Sequence, residues 1–147
     1  MTFSKIFELR EYNDLTQQEL ANIIGGSRTS ISAWENEKEI INIRKANKIV
    51  DYFDISLDYL FNFTKEKNYS HCKKGDINKY LVGTRLKVLR ERNNLTLRKL
   101  AQELNTTSST LSAYESGKTL LLTAFAIQIC KKYNVSMDWL YGKIDKK

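Results

Sequence analysis

The stretch LREYNDLT at residues 9–16 decides the fold of this chain, because it returns as LRERNNLT at residues 89–96. The same offset of 80 residues carries SAWE at 32–35 onto SAYE at 112–115, and FDISLDYLF at 53–61 onto YNVSMDWLY at 133–141. The copies align without a gap, and apolar positions stay apolar. A repeat of this kind predicts two structural units of similar fold.

The repeat also sets the predicted domains of the 147-residue chain. We assign residues 1–63 to a first domain and residues 81–147 to a second, each near the lower size limit for an independently folding domain. The interval 64–80 is rich in Lys and Asn and is predicted to be a linker. From Asp76 onward it can instead extend the first helix of the second domain, with Asp76 as N-cap.

The first two helices of the first unit have clear sequence signals. Ser4 can cap a helix whose apolar residues recur at helical spacing: Ile6, Phe7, Leu9 and Tyr12. The sequence TQQE at 16–19 is a capping box that opens a second helix. Gly25-Gly26 end it, as Asn105 does in the second unit, because both residue types tolerate positive φ.

Three further helices are predicted in each unit. Ser27 and Thr107 cap third helices with two buried anchors each, Ile31 and Trp34 in one unit, Leu111 and Tyr114 in the other. Fourth helices follow around Arg44–Phe53 and Ala124–Tyr133, and short fifth helices start at Ser56 and Ser136. With no proline and no strand-like alternation, the chain is predicted to be all-α, with two domains of about five short helices.

The charge is unevenly distributed along the chain. Residues 1–63 carry 7 Lys/Arg and 10 Asp/Glu (net −3), residues 64–80 carry 5 and 2 (net +3), and residues 81–147 carry 12 and 5 (net +7), which sum to the overall +7. A basic half favours a polyanionic partner, because Lys and Arg that neutralise phosphates release counterions. Solubility alone is the other explanation of the same charge.

The remaining composition excludes several classes of protein. Cys72 and Cys130 are the only cysteines, a poor basis for disulfides or a metal site, and we interpret both as reduced thiols in a cytoplasmic protein. No apolar stretch approaches the ~20 residues that span a bilayer, so no membrane association is expected. The single histidine, His71, lies in the predicted linker, and no catalytic, cofactor-binding or metal-ligating pattern occurs. We predict neither an enzyme nor a cofactor.

Both units resemble the XRE (Cro/CI-type, lambda-repressor-like) helix-turn-helix family. The resemblance rests on LTQQELA at 15–21, Gly25, SISAWEN at 30–36 and the ISLDYL tail at 55–60, and it covers all but the linker. Ala21 and Ala101 fit a close crossing of the second and third helices. By this resemblance, the chain is expected to bind double-stranded DNA as a transcriptional regulator of the repressor type, with the third helix in the major groove.

The resemblance also assigns base-facing and phosphate-facing residues. The base-facing set is Arg28, Thr29, Ser30 and Ala33 in the first unit, and Ser108, Ser109, Thr110 and Ala113 in the second. The phosphate-facing set is Gln17, Ser27, Asn36 and Lys38, with Arg98, Lys99, Thr107 and Lys118. Arg28 is the sharpest candidate, because its planar fork can bond guanine O6 and N7 together. Where the family uses a residue like Gln17, the second unit has Leu97, and Arg98 and Lys99 can supply phosphate-binding charge instead.

Glu35 and Glu115 would repel phosphate if they faced outward. Their predicted role is structural, in ion pairs with Arg10 and Arg90.

The sequence leaves two interpretations of the whole chain, a DNA-binding protein and a protein-interaction module. Family members usually dimerise on half-sites about 34 Å apart, so a homodimer is possible, but here one chain already carries two readers joined by a linker of roughly 24 Å r.m.s. span. Because the two third helices differ, such a monomer should favour an asymmetric site. The alternative is a protein-interaction module, antirepressor or antitoxin-like, in which one or both units have lost DNA binding.

Overall fold

The computed structural model describes residues 4–67 and 72–145. The chain divides into two compact units, residues 1–70 and 71–147. The described residues form ten α-helices and contain no β-strand, which confirms the predicted all-α fold.

Each unit has five helices in the same order. Those of the first unit are α1 (Lys5–Tyr12), α2 (Gln17–Ile24), α3 (Arg28–Glu35), α4 (Ile43–Phe53) and α5 (Leu57–Leu60). Those of the second are α6 (Lys79–Arg92), α7 (Leu97–Glu103), α8 (Ser108–Glu115), α9 (Thr123–Tyr133) and α10 (Met137–Leu140). In each unit the second and third helices pack on one another as the two helices of a helix-turn-helix.

The helix ends follow the signals in the sequence. At the start of α2 the Thr16 hydroxyl accepts from the Glu19 N–H while the Glu19 carboxylate accepts from the Thr16 N–H, which confirms the capping box. Gly25 ends α2 at φ 71° and Asn105 follows α7 at φ 55°, so both take the predicted left-handed conformation. Ser27 and Thr107 cap α3 and α8 through the N–H groups of Ser30 and Thr110.

The core of each unit forms where these helices meet. The predicted anchors Ile31, Trp34, Leu111 and Tyr114 are buried. Ala21 and Ala101 are also buried, at 0% and 3% exposure, in the helices that pack on α3 and α8. A larger side chain at either alanine would force the third helix away, because close-packed interiors have no room for added volume.

Some expectations were wrong in detail. Tyr12 is 82% exposed rather than part of the apolar face of α1; it is the last helical residue, and Lys67 Nζ lies 5.4 Å from its ring centroid. The fourth helices begin one residue earlier than the pattern indicates, at Ile43 and Thr123. The N-cap of α6 is Asn78 and not Asp76, since the Asn78 side chain accepts from two N–H groups of the first turn.

The interval 64–80 carries packing that its composition does not reveal. The Ser56 N–H donates to the Lys67 carbonyl within the first unit. In the second unit the Lys73 N–H donates to the Lys143 carbonyl, and Ile77 is buried. Residues on each side of 68–71 are therefore attached to their own unit. The exact domain boundaries stay a prediction.

Candidate nucleic-acid interface

The outer face of α3 carries a shallow concavity of about 290 Å³. It is lined by six residues: Gln17, Arg28, Thr29, Ser32, Ala33 and Lys38. Three of the predicted base-facing residues and two of the predicted phosphate-facing residues thus share one surface. Arg28, Thr29 and Lys38 are exposed, and Gln17 and Ala33 are half-buried at its edge.

The structure separates the remaining candidates of the first unit from this concavity. The Ser27 hydroxyl donates to the Ser30 hydroxyl at 3.1 Å, so both side chains are engaged in the cap of α3. The Asn36 amide donates to the Ser32 carbonyl at 2.9 Å and lies back along the helix. None of the three lines the concavity, although Ser27 and Asn36 remain exposed beside it.

Sequence reasoning did not include Ser32 among the base-facing residues. Positions 28, 29, 32 and 33 follow the i, i+1, i+4, i+5 spacing of one helix face, whereas position 30 falls to the side. This spacing is the sequence signal that could have identified Ser32. It assigns residues to a face once the first residue of α3 is known, because each residue turns the helix by 100°.

Behind the surface, Glu35 is held by three side-chain hydrogen bonds. Arg10 donates through Nε to Oε2 at 2.7 Å and through Nη2 to Oε1 at 3.0 Å, which confirms the predicted ion pair. A third Arg10 N–H donates to the Leu15 carbonyl at 2.8 Å. The hydrogen bonds to Glu35 raise the pKa of the Arg10 guanidinium above its ordinary value, so the guanidinium stays charged.

The third donor to Glu35 is Gln17, a residue of the candidate interface. Its side-chain N–H donates to Glu35 Oε1 at 3.1 Å. A glutamine amide has two N–H groups, so one remains beyond the bond to Glu35. The buried pair thereby fixes the orientation of a side chain that lines the concavity. This contact was not anticipated from sequence, because Gln17 and Glu35 lie 18 residues apart.

The second unit repeats the arginine–glutamate pair, with both residues half-buried, but not the surface. Arg90 donates to Glu115 through Nε at 2.7 Å and Nη2 at 3.1 Å, and to the Leu95 carbonyl at 2.8 Å, which confirms the second predicted pair. Leu97 stands where the first unit has Gln17, so Glu115 has no amide neighbour of this kind. Exposed Ser108 and Ser109 and half-buried Ala113 form the outer face of α8.

The other candidates of the second unit lie around that face. Thr107 and Thr110 share a hydroxyl–hydroxyl hydrogen bond of 2.9 Å, the counterpart of the Ser27–Ser30 contact. Arg98 and Lys99 are exposed in the first turn of α7, and Lys118 is exposed in the loop after α8. Cationic side chains therefore flank a third helix whose outer face carries hydroxyl and methyl groups.

No cluster of His, Cys, Asp and Glu among the described residues has the arrangement of a metal site. No helix in that part of the chain combines the length and apolar character needed to cross a membrane.

The packing of the second and third helices defines the class of helix-turn-helix proteins, and comparisons with known proteins agree with this class. The model of the family described as a helix-turn-helix domain matches residues 4–66 and again residues 83–146. The chain belongs to this family and carries two XRE-like copies of its domain. No solved structure matches the chain.

A similar curated protein is the HTH-type transcriptional activator BcrR of Enterococcus faecalis. It is 33% identical over 85 residues, which are 54% of this chain and 41% of that protein. The chain thus spans about two-fifths of the length of this relative.

Proposed function

We propose that this protein is a sequence-specific transcriptional regulator that binds double-stranded DNA, with α3 and α8 in the major groove. Family membership supports this, and so does the printed name of the relative. The observation that carries the proposal is the concavity of α3, which brings Gln17, Arg28 and Lys38 onto one surface. Phosphate contacts fix the register of a helix on the duplex, and base contacts specify the sequence, so a guanidinium beside groups that can bind phosphate suits major-groove readout.

Arg28 is the central reading residue in this proposal. It is exposed, and no carboxylate of the described residues lies within ion-pair distance of it. Its two terminal N–H groups are therefore available for O6 and N7 of one guanine, a pairing worth about 1–3 kcal/mol of discrimination. Thr29, Ser32 and Ala33 then contact neighbouring bases, and the second N–H of Gln17 donates to a phosphate.

The second unit reads DNA in a different way. Ser108, Ser109 and Ala113 give α8 short side chains that discriminate bases weakly, while Arg98, Lys99 and Lys118 bind phosphates. A chain with two unlike readers should favour an asymmetric site. We propose that the protein represses transcription, is cytoplasmic and has double-stranded DNA as its partner, with homodimerisation as a further possibility. The relative, in contrast, is named an activator. A promoter–reporter assay with and without the protein distinguishes repression from activation.

One observation favours a second candidate function, a protein-interaction module. The outer face of α8 offers no amide or guanidinium to base edges, so the second unit can have kept the fold without DNA binding. In that case the Lys and Arg around α8 would serve an acidic protein partner. Salt-dependent binding of duplex DNA by this unit distinguishes the two functions.

The experiment titrates the intact protein against duplex DNA over a range of salt concentrations. Arg28→Ala should weaken binding by about 10- to 100-fold on the preferred site and relax one base position. The double change Arg98→Ala with Lys99→Ala should weaken binding on every sequence and reduce the salt slope by about 1–2. Wild-type protein that shows no salt-dependent binding would reject the proposal and leave the interaction module.

A further inference from the structure

The first helix of the second unit is longer than its counterpart. Helix α6 has 14 residues and α1 has 8, and the added residues, Lys79–Thr84, precede the part that aligns with α1. This added segment lies against the C-terminal end of α8 and the loop that follows it. The sequence repeat gave no reason to expect such a contact.

Two glycines show how close the contact is. A Cβ built on Gly83 would lie 2.4 Å from the Tyr114 carbonyl oxygen and 2.5 Å from that of Glu115, both in the last turn of α8. A Cβ on Gly117 would lie 2.4 Å from Tyr80 Cδ1. Real Cβ atoms do not approach backbone carbonyls so closely, so only glycine at position 83 allows α6 this position. The added segment is fixed relative to α8 by backbone packing.

Lys79 lies at the start of this segment, next to Lys118. Its ammonium group donates to the Lys118 carbonyl at 3.4 Å and lies 5.6 Å from the Tyr80 ring centroid. An ammonium group has three N–H donors, so two remain. No carboxylate of the described residues lies within ion-pair distance of Lys79. The Lys79 ammonium thus lies against the backbone of Lys118, in the loop after the third helix.

We infer that Lys79 is a further DNA-backbone-binding residue, which acts with Lys118 on one stretch of phosphates beside α8. The inference rests on the proposed function, since the ligand is the phosphate backbone of duplex DNA. It also supplies the second unit with a contact in place of the glutamine that Leu97 replaces. The packing at Gly83 and Gly117 supports this role, because a segment that is already ordered loses less conformational entropy on binding.

The test measures binding of the intact protein to its selected duplex from low to high salt. Lys79→Ala should weaken binding roughly fivefold near 0.1 M salt and lower the salt slope by about 1, the value of one phosphate contact. Lys79→Arg keeps the charge and should restore both. Lys131→Ala is the matched control, because Lys131 is an exposed cation of the same unit outside the candidate interface. Circular dichroism checks that each variant is folded.

Phosphate ethylation interference gives a second readout. It locates individual contacted phosphates, so a change in the overall charge of the protein does not by itself alter the pattern. Wild-type protein should show a sensitive phosphate that is lost in Lys79→Ala and kept in Lys131→Ala. Equal effects of the two alanine variants, or none, would overturn the role of Lys79 and leave the proposed function intact. Wild-type protein without salt-dependent DNA binding would overturn both.

Discussion

The two units share a framework and differ in the surface built on it. Arg10–Glu35 and Arg90–Glu115 make the same three arginine hydrogen bonds, with lengths of 2.7, 3.0 and 2.8 Å in one unit and 2.7, 3.1 and 2.8 Å in the other. Two residues of the concavity, Gln17 and Arg28, have Leu97 and Ser108 as their counterparts, and of the two Gln17 bonds directly to this framework. In both units, therefore, the arginine–glutamate pair holds the third helix in place whatever side chains that helix carries outward.

A second difference lies on the side of the second helix away from the candidate interface. In the second unit the Tyr133 hydroxyl donates to Glu103, which also pairs with Lys132 at 3.0 Å. The corresponding positions of the first unit hold Phe53, Ile23 and Tyr52. A polar cluster therefore occupies this place in the second unit, whereas the first unit has apolar side chains there, of which Ile23 and Tyr52 are exposed.

The largest expected effect is on the shared framework. Arg10→Ala leaves the buried Glu35 carboxylate without its paired charge, and should lower the free energy of unfolding of the first unit by about 3 kcal/mol. Denaturant unfolding followed by Trp34 fluorescence in a Trp139→Phe background isolates this unit, because the chain has two tryptophans. Arg44→Ala, a change at an exposed arginine of the same unit, is the control. Equal stability of the two variants would show that the pair is not the framework.

A smaller effect is expected where the units diverge. Gln17→Leu copies the second unit and should weaken DNA binding about fivefold, the value of one hydrogen bond of about 1 kcal/mol. Leu97→Gln copies the first unit and should strengthen binding by a similar factor, since Glu115 is placed to orient the new amide. Filter-binding titrations on the selected site measure both. If Leu97→Gln weakens binding, the second unit does not use this position as the first unit does.

The smallest effect is the acid response of the second unit. Hydrogen bonds from Tyr133 and Lys132 lower the pKa of Glu103 below its ordinary value of 4.5. The folded unit therefore binds fewer protons than the unfolded chain, and this contribution, present above pH 4.5, is lost as the pH falls through the lowered pKa. Glu103→Gln should flatten the pH dependence of unfolding followed by Trp139 in a Trp34→Phe background. An unchanged pH profile in Glu103→Gln would show that the cluster does not contribute to the pH dependence of unfolding.

Most of the fold could be predicted because its signals are local. Caps at Thr16, Ser27 and Thr107 and the left-handed residues Gly25 and Asn105 act within one turn of chain. The Arg10–Glu35 pair was predictable from distant residues because an acid beside a phosphate-binding surface needs a partner. The surface was harder. The contact of Gln17 with Glu35 joins residues 18 positions apart. The packing of Gly83 on α8 depends on how far α6 extends. A repeat reveals neither.

We propose that one chain carries two different DNA-binding surfaces on one shared framework. Selection of binding sites from a random duplex pool with the intact protein, repeated with Arg28→Ala, tests it most directly. We expect wild-type protein to select a bipartite site of two unlike halves. The more selective half should contain a guanine that the Arg28→Ala variant no longer requires. A palindromic site would contradict the two-reader claim and indicate a dimer that uses one unit. No enriched sequence would contradict DNA reading itself.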